Sequence, residues 1–178
     1  EKDSLGELQI PDNVYYGIQS YRAAQNFPIS GTQVDVELIR SYILLKRAAA
    51  VANNRVESLD GKLKDTIIKA IDELLAGDFQ SHFIVDAYQA GAGTSQNMNV
   101  NEVIANRANE ILGSPLGSYK PINPNDHVNM SQSTNDSYPT AMRLALVVRS
   151  KELLKELQEI TQSFDKKANE ICLPADRQ

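Results

Sequence analysis

The chain has 178 residues, a formal net charge of -5, one cysteine and no tryptophan. That length supports one ordinary domain with its own core, and acidic and basic residues intersperse along it, so no basic face is offered to nucleic acid or an anionic membrane. Cys172 has no internal disulfide partner, no apolar run reaches the roughly 18–20 residues of a membrane span, and the opening EKDSLGELQIP lacks the regions of a signal peptide. A soluble cytoplasmic protein is expected.

Residues 1–19 alternate weakly, and turn signals at Gly6 and Pro11-Asp12-Asn13 predict two short extended pieces. Tyr15 and Tyr16 could line a site, although packing suits them better. Arg22–Asn26 reads as a short helix closed by Phe27-Pro28. From about Asp35 to Leu59, residues including Val36, Ile39, Ile43, Leu44, Ala48, Val51 and Val56 recur largely at helical spacings. A second helix runs from about Lys62 to Leu75, with Leu63, Ile67, Ile68, Ile71 and Leu74 as its apolar stripe and Gly77 after its end. These two helices read as scaffold, with nothing on them that asks for chemistry.

Gly91-Ala92-Gly93 then precedes Thr94, giving a backbone that can approach a ligand closely and deliver a helix start to it. It is no nucleotide loop, because the P-loop Lys-Ser/Thr and the third glycine of a dinucleotide fingerprint are both missing. The helix from about Thr94 to Leu112 carries Asn97, Asn99, Asn101, Asn106 and Asn109. Asparagine is a poor helix former, so these amides need partners. Thr94, Asn97 and Asn101 share a face. Each Asn is either a buried tie between helix and loop or a polar group of a site. Residues 113–124, rich in Gly, Ser and Pro, predict an exposed connection.

The stretch PNDHVNMSQSTNDSYP, residues 124–139, is almost devoid of apolar side chains and leads into a long helix predicted over Asp136 to about Ile171. Ser, Thr, Asn and Asp there can cap the helix, with Pro139 in its first turn. Ser133, Thr134 and Asn135 equally form, with free helix N–H groups, a set of neutral donors for a small carboxylate. Thr94 is the matching candidate on the preceding helix. His82 and His127 have no His or Cys at metal-ligand spacing, so no metal site is read. His127 reads as structural rather than as a general base. A Ser133-centred triad lacks both the Gly-x-Ser-x-Gly elbow and a positioned histidine.

At 1.5 Å per residue, a helix of about 35 residues is roughly 52 Å long, whereas a compact globule of this size is only about 40 Å across. The helix must protrude. Its stripe of Leu146, Leu153, Leu157, Ile160, Phe164, Ala168 and Ile171 continues to the end, so partner helices from elsewhere are expected to cover it.

Together IPDNVYYGIQSYRAAQNFPISG, GAGTSQNMNVNEVIANRANEILG and PINPNDHVNMSQSTNDSYPTAMRLA resemble the N-terminal third of the aspartase/fumarase superfamily, over Glu1 to about Ile171. The resemblance implies a mainly α fold. A small N-terminal helical domain with short strands, residues 1–131, precedes the first long helix of a central bundle, residues 132–178. Class II fumarate hydratases typically read His-Pro-Asn-Asp, with that His in a second anion site, and Ser-Ser-Asn-Asp downstream. Here Asn123-Pro124-Asn125-Asp126 and Ser133-Thr134-Asn135-Asp136 resemble the aspartate ammonia-lyase branch.

That branch implies cofactor-free, reversible elimination of ammonia from L-aspartate to give fumarate. By the resemblance Ser133 and Thr134 would bind the reacting β-carboxylate, while Thr94 and Asn135 would help hold the carboxylate and the departing amine. The resemblance also implies a homotetramer whose sites combine three subunits. The proton-abstracting serine of the family's mobile Gly-Ser-Ser loop has no counterpart in these residues, so no catalytic residue is assigned here. The expectation is a fragment, inactive alone, whose tail Leu173–Gln178 departs from the family pattern. Fumarate hydratase and a non-catalytic helical association module are the alternatives.

Overall fold

A computed structural model describes residues 1–171; Cys172 and the tail 173–178 lie outside the described residues. Strands β1 (Lys2–Asp3) and β2 (Gly6–Glu7) pair antiparallel, with Lys2 opposite Glu7 and Asp3 opposite Gly6. Five helices follow: α1 (Ile18–Asn26), α2 (Val36–Arg55), α3 (Gly61–Ala76), α4 (Thr94–Ile111) and α5 (Thr134–Ile171). A short 3-10 turn, Gln80–His82, and a π-type turn, Pro124–Val128, interrupt the connections. The fold is therefore mainly helical with two short strands, as the sequence implies.

Local chemistry sets two of the helix starts. The Asp35 carboxylate accepts from Glu37 N at 2.8 Å, and Asp60 accepts from Lys62 N at 2.8 Å and Leu63 N at 3.3 Å, each satisfying N–H groups that an α-helix leaves free. Helix α4 is the centre of the molecule. Val100, Val103, Ile104, Ala105 and Ala108 are all buried, with α3 and α1 packed against it while α2 packs on α3 and α5. The stripe Ile67, Ile71 and Leu74 of α3 is buried as its spacing predicts.

Three local expectations are corrected. Helix α1 begins at Ile18, four residues before Arg22, because its free N–H groups are met by the Glu102 side chain on α4, which no local pattern reveals. The buried face of α2 is not simply aliphatic. Ile39, Tyr42, Ile43, Lys46, Ala50 and Asn53 are inside, while Leu44 and Val56 are exposed. The connection 113–124 is exposed only in part: Ile122 is fully buried and exchanges two hydrogen bonds with the Asn109 carboxamide, at 2.8 and 2.9 Å.

Helix α5 buries only Ser137, Ala141 and Ala145. Leu146, Leu153, Leu157, Ile160 and Phe164 are each about half exposed or more. At 1.5 Å per residue its 38 residues run to roughly 57 Å, so the apolar stripe extends into solvent, as its length predicts.

Asp86 fastens the loop that leads toward α4. Its carboxylate accepts from Ser30 N, Gly31 N, Ser30 Oγ and Tyr88 N at 2.7–2.8 Å. These bonds, led by that from Tyr88, lower its pKa from 3.8 to about 2. The depressed value means that its contribution to stability is fully present above the ordinary value and is lost as pH falls through about 2. Asp86→Asn is expected to flatten the acid limb of the stability profile between about pH 4 and 2. Denaturant unfolding at several pH values checks it; an acid limb identical to wild type would overturn it.

Candidate active site at two helix starts

The five asparagines of α4 are all buried. Three serve as ties between helix and loops. Asn99 accepts from Ile84 N and donates to His82 O, both at 3.0 Å. Asn106 donates to Tyr15 O at 3.0 Å and accepts from Gly117 N at 2.9 Å, and Asn109 holds Ile122. Asn101 differs: its Nδ2 lies 3.5 Å from Met98 Sδ, and its Oδ1 has no partner among the described residues.

Asn97 links the two helix starts. Its Nδ2 donates to Thr134 Oγ1 at 3.2 Å and to Asn129 Oδ1 at 3.1 Å. The approach is close because of Gly93, which sits at φ +89° immediately before Thr94, and whose Cβ, if present, would lie 2.3 Å from Tyr138 Cδ2. Both the left-handed backbone and the aromatic ring exclude a side chain there. The start of α4 therefore abuts the first turns of α5, and Thr94 and Thr134 stand at neighbouring helix N-termini.

Helix α5 begins at Thr134, two residues earlier than Asp136, and Pro139 falls in the second turn rather than the first. Ser133 explains the earlier start. Its Oγ accepts from Asn135 N at 3.2 Å, and its own N–H donates to the Asp136 carboxylate at 3.3 Å. This is a reciprocal cap of the kind that fixes a helix N-terminus. Thr94, Ser133 and Asn135 are exposed, and Thr134 is half-buried.

Capping leaves the donors free. Ser133 Oγ accepts a hydrogen bond from Asn135 N, and Thr134 Oγ1 accepts one from Asn97 Nδ2, so each hydroxyl has an acceptor position filled and its own proton available. Helix N-termini add positive potential at the same place. The arrangement is an open, mostly neutral donor surface suited to a carboxylate. Among the described residues no group of three or more His, Cys, Asp or Glu is placed to hold a metal ion.

Both histidines are committed to backbone. His82 Nδ1 accepts from Tyr15 N at 3.1 Å, its pKa lowered by burial, and His127 Nδ1 accepts from Asn123 N at 2.9 Å. Tyr15 packs against Phe79 and His82 and bonds Glu110, while Tyr16 stacks on Tyr21.

Helix α2 carries more than an aliphatic stripe, since Lys46 on it is fully buried. Its Nζ donates to Asn97 Oδ1 at 2.7 Å and to Asn129 Oδ1 and Gln132 Oε1 at 2.9 Å. Three amide oxygens match the three protons of an ammonium. Burial lowers its pKa to about 7, opposed by the Asp136 carboxylate. One turn away on α2, Tyr42 bonds Ser137 Oγ at 2.8 Å, and Ser137 Oγ donates to Ser133 O at 2.9 Å. The sequence signal was a lysine at a position spaced to fall on the stripe of Ile39, Ile43 and Ala50.

Over nearly its whole length the chain is similar to known lyases. A family model described as Lyase matches residues 6–172. An aspartate ammonia-lyase of Bacillus sp is 51% identical over 172 residues, covering 97% of this chain and 37% of that protein. The mitochondrial fumarate hydratase of Mus musculus is 47% identical over 175 residues, covering 97% and 34%. The crystal structure described as fumarate lyase:delta crystallin from Brucella melitensis in native form superposes with a TM-score of 0.90 at 47% identity, covering 96% of this chain and 39% of that one. The chain thus spans little more than a third of the length of these relatives.

Proposed function

The chain belongs to the lyase family of the aspartase/fumarase superfamily, and on that premise we propose that it forms part of an aspartate ammonia-lyase, with Thr94, Ser133, Thr134 and Asn135 binding substrate. The observation that carries this reading is the meeting of the α4 and α5 starts through Asn97 and Thr134, with hydroxyl protons left to donate.

The reaction moves a carbon-bound proton from Cβ of L-aspartate to a base, which by the resemblance is the serine of the Gly-Ser-Ser loop that these residues lack. The C–H electron pair moves onto the adjacent carboxylate as an aci-carboxylate dianion, then returns to form the Cα–Cβ double bond as the Cα–N bond breaks and nitrogen leaves with its pair as ammonia. Charge on the β-carboxylate rises before ammonia departs. Donors at fixed distance bind that dianion more strongly than the ground-state carboxylate, which is how Ser133 and Thr134 would lower the barrier. Thr94 and Asn135 would help hold the carboxylate and the departing amine.

The ammonia-lyase is favoured over the hydratase by position 123. Where the resemblance places the hydratase histidine of a second anion site, this chain has Asn123, and its Oδ1 is occupied by Asn125 N and Asp126 N at 2.8 and 3.0 Å. A carboxamide at this position cannot carry the positive charge that a histidine there can bring to a second anion.

The full-length protein is expected to produce fumarate from L-aspartate and little from L-malate, followed by ultraviolet absorbance. Turnover of L-malate alone would replace this reading with fumarate hydratase. Residues 1–178 alone are expected to release no fumarate, since the four donors lie on an open surface rather than around an enclosed substrate; fumarate from the purified segment would overturn that expectation. A homotetramer of the full-length protein is part of the same proposal, with the uncovered stripe of α5 as its support.

A further inference from the structure

Lys46 is a buried lysine that the elimination chemistry does not use. It lies on α2, yet all three of its hydrogen-bond acceptors are on other elements: Asn97 on α4, and Asn129 and Gln132 in the turn that leads into α5. Asn97 in turn donates to Thr134 Oγ1. Gln132 immediately precedes Ser133 and is held a second time, its Nε2 donating to Val128 O at 3.0 Å and to Met130 O at 3.1 Å. The Tyr42 ring lies beneath the ammonium, with Nζ 5.2 Å from its centroid.

We infer that Lys46 is a positioning residue of the candidate active site, fixing through Asn97, Asn129 and Gln132 the turn that presents Ser133 and Thr134 to the substrate carboxylate. This inference rests on the substrate-binding reading of those two hydroxyls. Lysine suits the task because an ammonium gathers three carbonyl oxygens at one point, which no neutral side chain of that length can do. By holding Asn97 Oδ1, Lys46 also fixes which way that carboxamide points its Nδ2 donor, toward Thr134 Oγ1 and Asn129 Oδ1. Burying the charge is costly unless it is hydrogen-bonded, and here all three protons are taken. Asp136, at the start of α5, is the carboxylate that acts on it, and the Tyr42 ring beneath it packs edge-on against Tyr138.

The test compares Lys46→Met, Lys46→Arg and Gln132→Leu in the full-length protein, with Arg47→Met as control. Arg47 pairs with Asp72 on the half-exposed side of the same helix turn. Lys46→Met is expected to lower kcat by about 10- to 100-fold, since misplacing a reacting group by an ångström costs that much. KM should change far less. Gln132→Leu, less buried and safer for folding, should shift kcat in the same direction. Its effect should largely vanish in the Lys46→Met background, as two groups in one network are not additive. Lys46→Arg should recover part of the loss.

Amide hydrogen exchange over residues 129–137 gives a readout that needs no substrate, and it should accelerate in Lys46→Met. Unchanged exchange there, or additive effects of Lys46→Met and Gln132→Leu on kcat, would overturn the positioning role. Exchange that accelerates while neither L-aspartate nor L-malate is turned over by wild type would instead overturn the substrate reading alone.

Discussion

Thr134→Val in the full-length protein is expected to lower kcat for L-aspartate by about 10²–10³-fold, the usual loss when one donor to a developing oxyanion is removed. The substitution is close to isosteric and leaves α5 capped, because the cap belongs to Ser133. Asn97 keeps Asn129 Oδ1 at 3.1 Å for one of its two amide protons and loses the acceptor of the other, so the fold should lose roughly 1–3 kcal/mol. Ser133→Ala cannot be read so cleanly. It removes a donor and a cap together, and the cap alone is worth roughly 0.5–2 kcal/mol. Steady-state kinetics with thermal unfolding as a control check the pair of variants. Thr134→Val that folds like wild type and turns over L-aspartate at the wild-type rate would leave the polar cluster as helix caps in a non-catalytic association module.

Capping and anion binding, which compete as explanations when only residue types are known, are compatible once proton directions are counted. A hydroxyl that accepts from a backbone or amide N–H still has its proton to give. Residue types in 133–135 were legible because both uses draw on the same small polar side chains, and the helices were legible from their 3.6-residue period. The start of α1 was not, nor were the roles of Lys46 and Glu102. Their partners lie 51–86 residues away in the case of Lys46 and 82–85 in the case of Glu102 and the backbone of Gly17 and Ser20. Local sequence carries no trace of such pairings. What it does carry is an anomaly of position: each charge occupies the buried face of its helix, Lys46 among Ile39, Ile43 and Ala50, and Glu102 beside Val103 and Asn106.

Glu102→Ala is expected to be the most destabilising single change in the part of the molecule that supports α4. The Glu102 side chain is fully buried and takes over the N-terminal cap of α1, accepting from Gly17 N at 2.9 Å and from Gln19 N and Ser20 N at 3.0 Å, and from Ser20 Oγ. Removing it strands several buried donors at once, which costs roughly 3–5 kcal/mol. Glu1 limits the damage, since its own carboxylate accepts from Ile18 N at 2.9 Å and from Tyr119 OH at 2.6 Å. Glu102→Gln keeps one acceptor oxygen and should fall between wild type and Glu102→Ala.

The two variants also separate by pH. Burial raises the Glu102 pKa above its ordinary value, against the hydrogen bonds from Ser20. In the window between the ordinary and the raised value the unfolded chain binds fewer protons than the folded one, so this group makes stability fall as pH rises, opposite in sign to Asp86. Glu102→Gln removes that slope while retaining part of the cap. Gly17→Ala is an independent probe of the same junction: its Cβ would lie 1.9 Å from Tyr119 OH and 2.8 Å from Glu102 Oε1, so the carboxylate must withdraw from α1. Hydrogen exchange at the Gln19 and Ser20 amides, alongside denaturant unfolding, reads all three. Wild-type protection of those amides in Glu102→Ala would mean that α1 is capped by some other group, and the long-range cap would have to be abandoned.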